Sequence, residues 1–464
     1  MEDAAERRFD ELEALDLKTL FHPNTNLAAL HRAGPLVLTR GEGIYVWDSR
    51  GNRYIEGVAG LWCTTLGYGD EELVAVAAEQ LRKLSFTHLF AGKSHEPGIR
   101  LAERLVRMAP FDASRVFFGN SGSDANDTQI KLVWYYNNAV GRPRKKKIIA
   151  RRRGYHGTTV AAAGLTGLAP FHTHFDAPQP FAVHAEAPYY YRGAEPGESE
   201  EDYATRLAAD LEELIEREGP DTIAAFIAEP MMGVGGVLLP PRTYFEKVQA
   251  VLAKHDILLI DDEVICGFGR TGSLWGAQTF GMRPTTLSAA KALSSAYLPI
   301  SAVIVPEFLY EPMVEASGQV GLFGHGFTYG GHPVAAAVAL RTLEIYEERG
   351  LYDHVRRMTA PFQSRLRALA DHPLVGDARG VGLVGAVELV RSKDTKAPFD
   401  SKAGVGGRCL ALCQNRGLIV RAVGDVVVLC PPYIVTEEQI DEIFRRFEQG
   451  LNDTLQWARA ERLL

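Results

Sequence analysis

The sequence predicts an α/β fold, a mostly parallel sheet covered by helices on both faces, with a smaller α+β lobe. Two observations carry this expectation. From about Glu71, amphipathic helical stretches alternate with short apolar runs, the pattern of strands joined by crossover helices. Beyond residue 330 a long helix is followed by hairpin-like runs and a second helix. The chain has 464 residues, 46% of them hydrophobic, enough for a large core and more than one lobe.

The elements follow in order. "GIYVWDSRGNRYIEG" reads as two short strands around a turn at Ser49 to Asn52. "EELVAVAAEQLRK" is helical, "RVFF" (115–118) a strand, "SDANDTQIKLVWYYNNA" a helix and "KIIA" (147–150) a strand. "TIAAFIA" (222–228), "DILLID" (256–261) and "ISAVIV" (300–305) are further strands, with "YATRLAADLEELIERE" and "RTYFEKVQAVLAKH" as helices between them. The segment "YYYRGAEPGESEEDY" (189–203) is polar and expected to be an exposed loop. "PVAAAVALRTLEIYEERG" (333–350) is a long connecting helix. "GLVGAVELV" and "LIVRAVGDVVVLC" read as strands, the latter turning at Gly424-Asp425, before the helix "TEEQIDEIFRRFEQGL".

Composition excludes some functions. A net charge of −8 argues against a nucleic-acid or anionic-membrane binder, and the basic run "GRPRKKKIIARRR" contains a strand with basic ends. Five scattered cysteines fit a reduced cytoplasm. No metal site is expected: Cys409 and Cys413 have no nearby histidine, and "HTH" (172–174) has no cysteine or carboxylate beside it. The start "MEDAAERRFDELEALDL" resembles neither a secretory signal nor a transit peptide. No apolar run is long enough to span a bilayer.

In parallel sheets, ligands bind beyond the carboxyl ends of the strands. "VFFGNSGSDAND" offers small residues and a helix start, a seat for a phosphate; it equally reads as a turn capped by Ser123. "RRRGYHGTT" places Tyr155 and His156 between glycines, where the aromatic can stack on a ring or simply half-bury itself. "FIAEP" ends in Glu229 and "LLIDDEV" in Asp261, Asp262 and Glu263. Such carboxylates hold a protonated ring nitrogen, bind a metal, cap helices or form ion pairs. In "LSAAKALSSAYLP", Lys291 is the one charge. It reaches solvent, meets a distant carboxylate, or is a desolvated amine for covalent chemistry. Thr328 in "GHGFTYGGHP" adds a hydroxyl to an anion site. Together these form the set that pyridoxal phosphate needs: an anion seat, a stacking ring, a carboxylate for the pyridine nitrogen and a lysine.

"FFGNSGSDAND", "YHGTT", "FIAEPMMGVGG", "LLIDDEVICGFGRTG", "AAKALSSAYLP" and "HGFTYGGHPVAAAVAL" resemble, in order and spacing, the motif series of the class III aminotransferases, pyridoxal-phosphate enzymes of fold type I. "GVAGLWCTTLGYG" and "LIVRAVGD" are similar to the ω-transaminases that use pyruvate, and "FGNSGSDANDTQIKLVWYYNNAVGRPRKKKIIA" to pyruvate-dependent 4-aminobutyrate aminotransferases and amine transaminases. The resemblance implies a small domain built from residues 1–70 and 331–464, the latter including the connecting helix, around a large cofactor domain at 71–330. It makes Lys291 the Schiff-base lysine and Asp262 the carboxylate on the pyridine nitrogen, with Val264 and Tyr155 on the two ring faces. Ser121, Gly122 and Ser123 form the phosphate loop, and His156, Glu229, Phe327 and Thr328 complete the cofactor site. Thr328 is supplied by a neighbouring subunit, which implies a homodimer, with a tetramer left open. Trp62, Phe90, Tyr155 and Val234 wall the substrate pocket, Phe90 entering from the neighbour, and Arg421 is a mobile carboxylate-binding arginine. The implied reaction moves an amino group from an ω-amino acid or primary amine to pyruvate by a ping-pong route through pyridoxamine phosphate. The alternative is an aminomutase or amino-acid racemase on the same fold. The sequence departs from the family pattern at Asp124 (usually Glu), Ala292 and Ala296 (often Gly), Gly330 (often Ser), Asp261 (often small) and Val234 (often Ala).

Overall fold

Asp48 organises the first hairpin of the chain. Its Oδ1 accepts the amides of Arg50 (3.0 Å) and Asn52 (2.8 Å), and its Oδ2 accepts the Tyr54 hydroxyl (2.8 Å). The hairpin belongs to a sheet of β1 (Leu38–Glu42), β2 (Tyr45–Asp48) and β3 (Arg53–Glu56). The computed structural model describes residues 10–464.

The central sheet contains β4 (Arg115–Gly119), β5 (Lys147–Arg151), β6 (Ala182–Ala185), β7 (Ile223–Ala228), β8 (Leu258–Asp262), β9 (Thr286–Ala289) and β10 (Ser301–Val305). Their spatial order is β4-β10-β9-β8-β7-β5-β6. The pairs from β9 to β6 are parallel, as expected. The exception is β10, antiparallel to both β9 and β4. The link at 290–300 carries one short 3₁₀ turn. A parallel return needs a crossover longer than this, usually a helix. Every residue of β7, β9 and β10 is buried, as helices on both faces require.

The last strands are β11 (Val375–Val381), β12 (Val384–Leu389), β13 (Leu418–Ile419), β14 (Arg421–Val423) and β15 (Val426–Leu429). β13 pairs in parallel with β3, so the two ends of the chain meet in one sheet. β14 and β15 form the expected hairpin, with Gly424 in the left-handed region (φ 57°). The terminal helix runs from Glu437 to Ala460, past the expected Leu451, because Leu451, Thr454, Leu455 and Ala458 keep one face buried. Two helices absent from the sequence expectation contain internal prolines, Pro312 in Glu307–Val320 and Pro361 in Leu351–Ala368. Proline masked their periodicity. The polar segment 189–203 is not wholly an exposed loop. Tyr189 and Tyr203 at its ends are buried, with hydroxyls bonded to Glu388 and to the Ala187 carbonyl (3.0 Å). No helix among the described residues is long and apolar enough to cross a membrane.

Phe362 is fully buried and meets Phe444 of the terminal helix edge-on, with ring centroids 5.2 Å apart. Phe362→Ala should cost about 3–5 kcal/mol, read as an earlier thermal unfolding transition; an unchanged transition would show this helix pair to be dispensable.

Candidate active site

Five strands of the central sheet end at one cavity of about 390 Å³. After β4 the chain turns through Asn120 and Ser121 into the helix Gly122–Ala139. Ser121, not Ser123, is the cap: its Oγ accepts the Asp124 amide (3.2 Å), while Asp124 accepts the Ser121 amide (3.0 Å). Asp124 also takes the Asn120 amide (2.9 Å) and the Ser301 hydroxyl (2.9 Å). The shorter acid found here in place of glutamate therefore stitches the loop to β10. Ala125 N bonds to Ser121 O, which leaves the first-turn amides of Gly122 and Ser123 to face an anion. Ser123 Oγ accepts the Thr158 amide (3.1 Å). A Cβ on Gly122 would lie 2.9 Å from Val264 Cγ1, so only glycine lets that side chain approach the loop.

Beyond β5, the Tyr155 amide donates to Glu229 Oε1 (3.0 Å), and Glu229 Oε2 accepts the Gly233 amide (2.8 Å). Burial holds the Glu229 carboxyl above its ordinary range. The Tyr155 ring lines the cavity and meets Phe171 edge-on at 5.3 Å.

Asp262 ends β8 as a buried carboxylate with dedicated donors. His156 Nδ1 (2.8 Å) and Asn126 Nδ2 (2.7 Å) both reach its Oδ2, and the Val264 amide reaches Oδ1 (3.2 Å). A carboxylate only accepts, so Nδ1 carries the proton. Asp261 and Glu263 lie on the opposite face of the strand, as a period of two requires. Glu263 caps a short helix through the Gly276 (3.0 Å) and Ala277 (2.7 Å) amides. Burial pushes its carboxyl up to about 7 and raises Asp261 as well. Of the three consecutive acids, Asp262 alone lines the cavity.

Lys291 follows β9 and lines the same cavity. Burial lowers its ammonium pKa, partly offset by the charge of Asp262. Its backbone is left-handed (φ 46°), as are Ser295 (φ 49°) and Ala296 (φ 62°), a concentration of strain typical of functional turns. At Ala296 that conformation explains why glycine suits the position. Ala292 has no positive φ, so its methyl group is tolerated.

Trp62 and Val234 are buried in an apolar cluster with Ile265, Cys266 and Val426, against which Tyr155 packs. Arg421, at the start of β14, is half-buried. Its Nε has no hydrogen-bond partner, and no ion pair holds its guanidinium among the described residues. Its charge acts on both Tyr155 and Lys291. Phe90 and Phe327 line a different cavity of about 920 Å³, and the neighbouring Thr328 is exposed. Within one chain these three do not reach the first cavity. The sequence reading missed Asn126 and Cys63, both of which line the site. A buried Asn one turn into the helix was the available signal for the former. The metal-ligand cluster found among the described residues is Glu212, Glu216 and His255, none of which lines this cavity.

This donor set fits pyridoxal phosphate. Open amides would face a phosphate, Asp262 is an acceptor for a ring N–H, Tyr155 offers a flat aromatic face and Val264 an apolar one, and Lys291 supplies an amine.

Comparison with known proteins agrees. Residues 28–451 match the family Aminotransferase class-III. The chain is 50% identical over 423 residues to gamma aminobutyrate transaminase 3, chloroplastic, of Solanum lycopersicum, covering 90% of this chain and 81% of that protein. It is 50% identical over 421 residues to vanillin aminotransferase of Capsicum annuum, covering 90% and 92%. The solved omega transaminase from Pseudomonas jessenii in complex with PMP superposes with a TM-score of 0.95 at 51% identity, over 97% of this chain and 99% of that one.

Gly122→Ala should weaken cofactor binding by roughly tenfold or more, since the methyl must displace Val264 from the loop. Titration of the cofactor-free protein by absorbance checks this, and unchanged affinity would remove Gly122 from the seat.

Proposed function

The chain belongs to the class III aminotransferases, which use pyridoxal phosphate and share its fold type I architecture, and from that footing we propose that it transfers the amino group of an ω-amino acid or primary amine to pyruvate. The products are alanine and an aldehyde or ketone, and the two half-reactions share one pocket in a ping-pong sequence. The observation that carries this reading is Arg421, a half-buried guanidinium with no ion pair among the described residues, whose charge reaches Lys291 and Tyr155, the latter packed against the apolar cluster of Trp62 and Val234. An arginine free to engage or withdraw lets one site take a carboxylate in one half-reaction and an apolar amine in the other. The relatives support the donor class, since one is a gamma aminobutyrate transaminase and another a vanillin aminotransferase. A further neighbour is an omega transaminase variant with a tryptophan, a phenylalanine and an arginine replaced for asymmetric synthesis of enantiopure bulky amines. Trp62, Phe90 and Arg421 stand at the same intervals in this chain.

Bound pyridoxal phosphate supplies an electron sink for the pair released at the substrate carbon. Gly122 and Ser123 would hold its phosphate through backbone amides, and Asp262 would accept the ring N–H. His156 and Asn126 hold that carboxylate in place. Tyr155 and Val264 would pack on the two faces of its ring. Lys291, its neutral amine favoured by burial, would take the proton from the amine-bearing carbon and return it to the carbon on the other side of the nitrogen, two atoms away. Arg421 orients pyruvate by its carboxylate.

The active unit on this reading is a homodimer in which Phe90, Phe327 and Thr328 complete the neighbour's site. Exposed apolar residues beside the second cavity, among them Phe90, Val314 and Leu322, support it. A reducing compartment such as the cytoplasm suits five cysteines with no disulfide.

A panel of amine donors assayed against pyruvate and 2-oxoglutarate tests the reaction. Turnover with pyruvate supports it, whereas enantiomer interconversion without any keto acid would replace it with an isomerase. Arg421→Ala should lower kcat/KM for pyruvate by about tenfold to a hundredfold and leave a carboxylate-free amine within about twofold. Equal losses would sink the arginine switch.

A further inference from the structure

Glu56 ends β3 and is 3% exposed, with no cation paired to it among the described residues. Its Oε1 accepts the Val58 amide at 3.1 Å, and the Gly60 amide lies close enough to favour the carboxylate electrostatically. Those amides belong to a tight turn, 57–63, that leads into the site. Ala59 (φ 48°), Gly60 (φ 65°, ψ −94°) and Trp62 (φ 67°) are all left-handed there. Only Gly60 adopts that conformation without strain, and Ala59 and Trp62 are held in it against their preference. Such a turn persists only where its surroundings hold it. The backbone bonds Trp62 N to Val58 O (2.9 Å) and Cys63 N to Ala59 O (2.8 Å) close it, but they lie inside the turn. Glu56 ties the turn to the end of a strand. Its two payloads are functional: Trp62, 1% exposed in the cluster with Val234 and Tyr155, and Cys63, which lines the cavity.

We propose that Glu56 is a positioning residue for the substrate pocket, its buried carboxylate holding the strained turn that sets Trp62 against the amine donor. This rests on the transaminase reading above and adds to it a residue that acts through another.

The carboxylate holds the Val58 amide most strongly when ionised. Burial without a cation pushes its pKa up to about 7 from an ordinary 4.5. The sign follows: the native state favours the protonated form, so global stability falls as pH rises from the ordinary value towards 7, while the grip on the turn tightens. The titratable neighbours do not compete. Tyr68 and Cys63 in the following loop, and Cys430 after β15, are all raised by burial, Cys430 to about 11. The Arg270 guanidinium, whose charge also reaches Cys63 and Cys430, is bonded to the Leu383 (3.1 Å) and Pro431 (2.6 Å) carbonyls. Lys291 acts on Cys63 and Cys430 from the cavity.

Glu56→Gln keeps the shape and removes the charge. At about pH 8 it should raise KM for an amine donor roughly tenfold with kcat within about twofold, and it should abolish the change in KM that the parent shows near pH 7. A second readout needs no turnover. The fluorescence of Trp62, taken as the difference between the parent and Trp62→Phe, should shift with a midpoint near pH 7 in the parent and stay constant in the Glu56→Gln background. If the transaminase reading failed, this titration would still report on the turn. Parent-like KM, pH profile and Trp62 emission in Glu56→Gln would overturn the proposal. If that variant does not fold, the absence of any Trp62 transition between about pH 6 and 8 in the unaltered protein overturns it as well.

Discussion

The Asp262 carboxylate is the constraint around which the site is arranged. It is 3% exposed, and an isolated buried charge of this kind is untenable without donors. It is met by His156 from the loop after β5, by Asn126 from the helix after β4 and by the amide of Val264. Each donor comes from a different strand end, so satisfying one charge draws three segments to one point. Asn126 also donates to the His156 carbonyl (2.7 Å), and Thr166 Oγ1 accepts the His156 amide (2.9 Å). The aromatic beside His156, Tyr155, is thereby placed over the same cavity.

The rest of the site is built by close approach. Gly122 lets Val264 near, and at Gly157 a Cβ would fall 2.6 Å from Ser123 Oγ. The strained backbone at Lys291, Ser295 and Ala296 aims the lysine out of the sheet, and the Ala292 carbonyl between them is held by the Tyr346 hydroxyl (2.6 Å). The turn at 57–63 uses the same device on the substrate side, with Glu56 in the role of tether. Strain of this sort is stable because the sheet and its covering helices over-determine the positions of the strand ends.

The pocket combines two environments that are usually separate. Behind Ile265, which lines the cavity, Trp62, Val234 and Val426 form a buried apolar cluster, and Arg421 brings a charge that no protein carboxylate neutralises among the described residues. On the proposed function, a guanidinium left in this state can receive a substrate carboxylate without any ion pair of the fold being broken first.

The sequence by itself determined the alternation of strands and helices and the identity of the chemistry. Periodicity reports burial directly, and the order of "FFGNSGSDAND", "YHGTT", "LLIDDEV" and "AAKALSSAYLP" along the chain marks four strand ends. It failed where the deciding contact is distant. Pro312 and Pro361 hid two helices that tertiary packing sustains. Ser123 looked like a helix cap until Ser121 and Asp124 were seen to close the box together. Asn126 was one polar residue in a helix until the fold set it against Asp262, 136 residues away. Periodicity alone left open which of Asp261, Asp262 and Glu263 faces the cavity; the motif resemblance singled out Asp262, and the fold sets it there because consecutive strand residues alternate between faces. Hydrogen bonds between distant residues carry no local signal, whereas apolar periodicity is local by nature, and the division between what was legible and what was not follows that line.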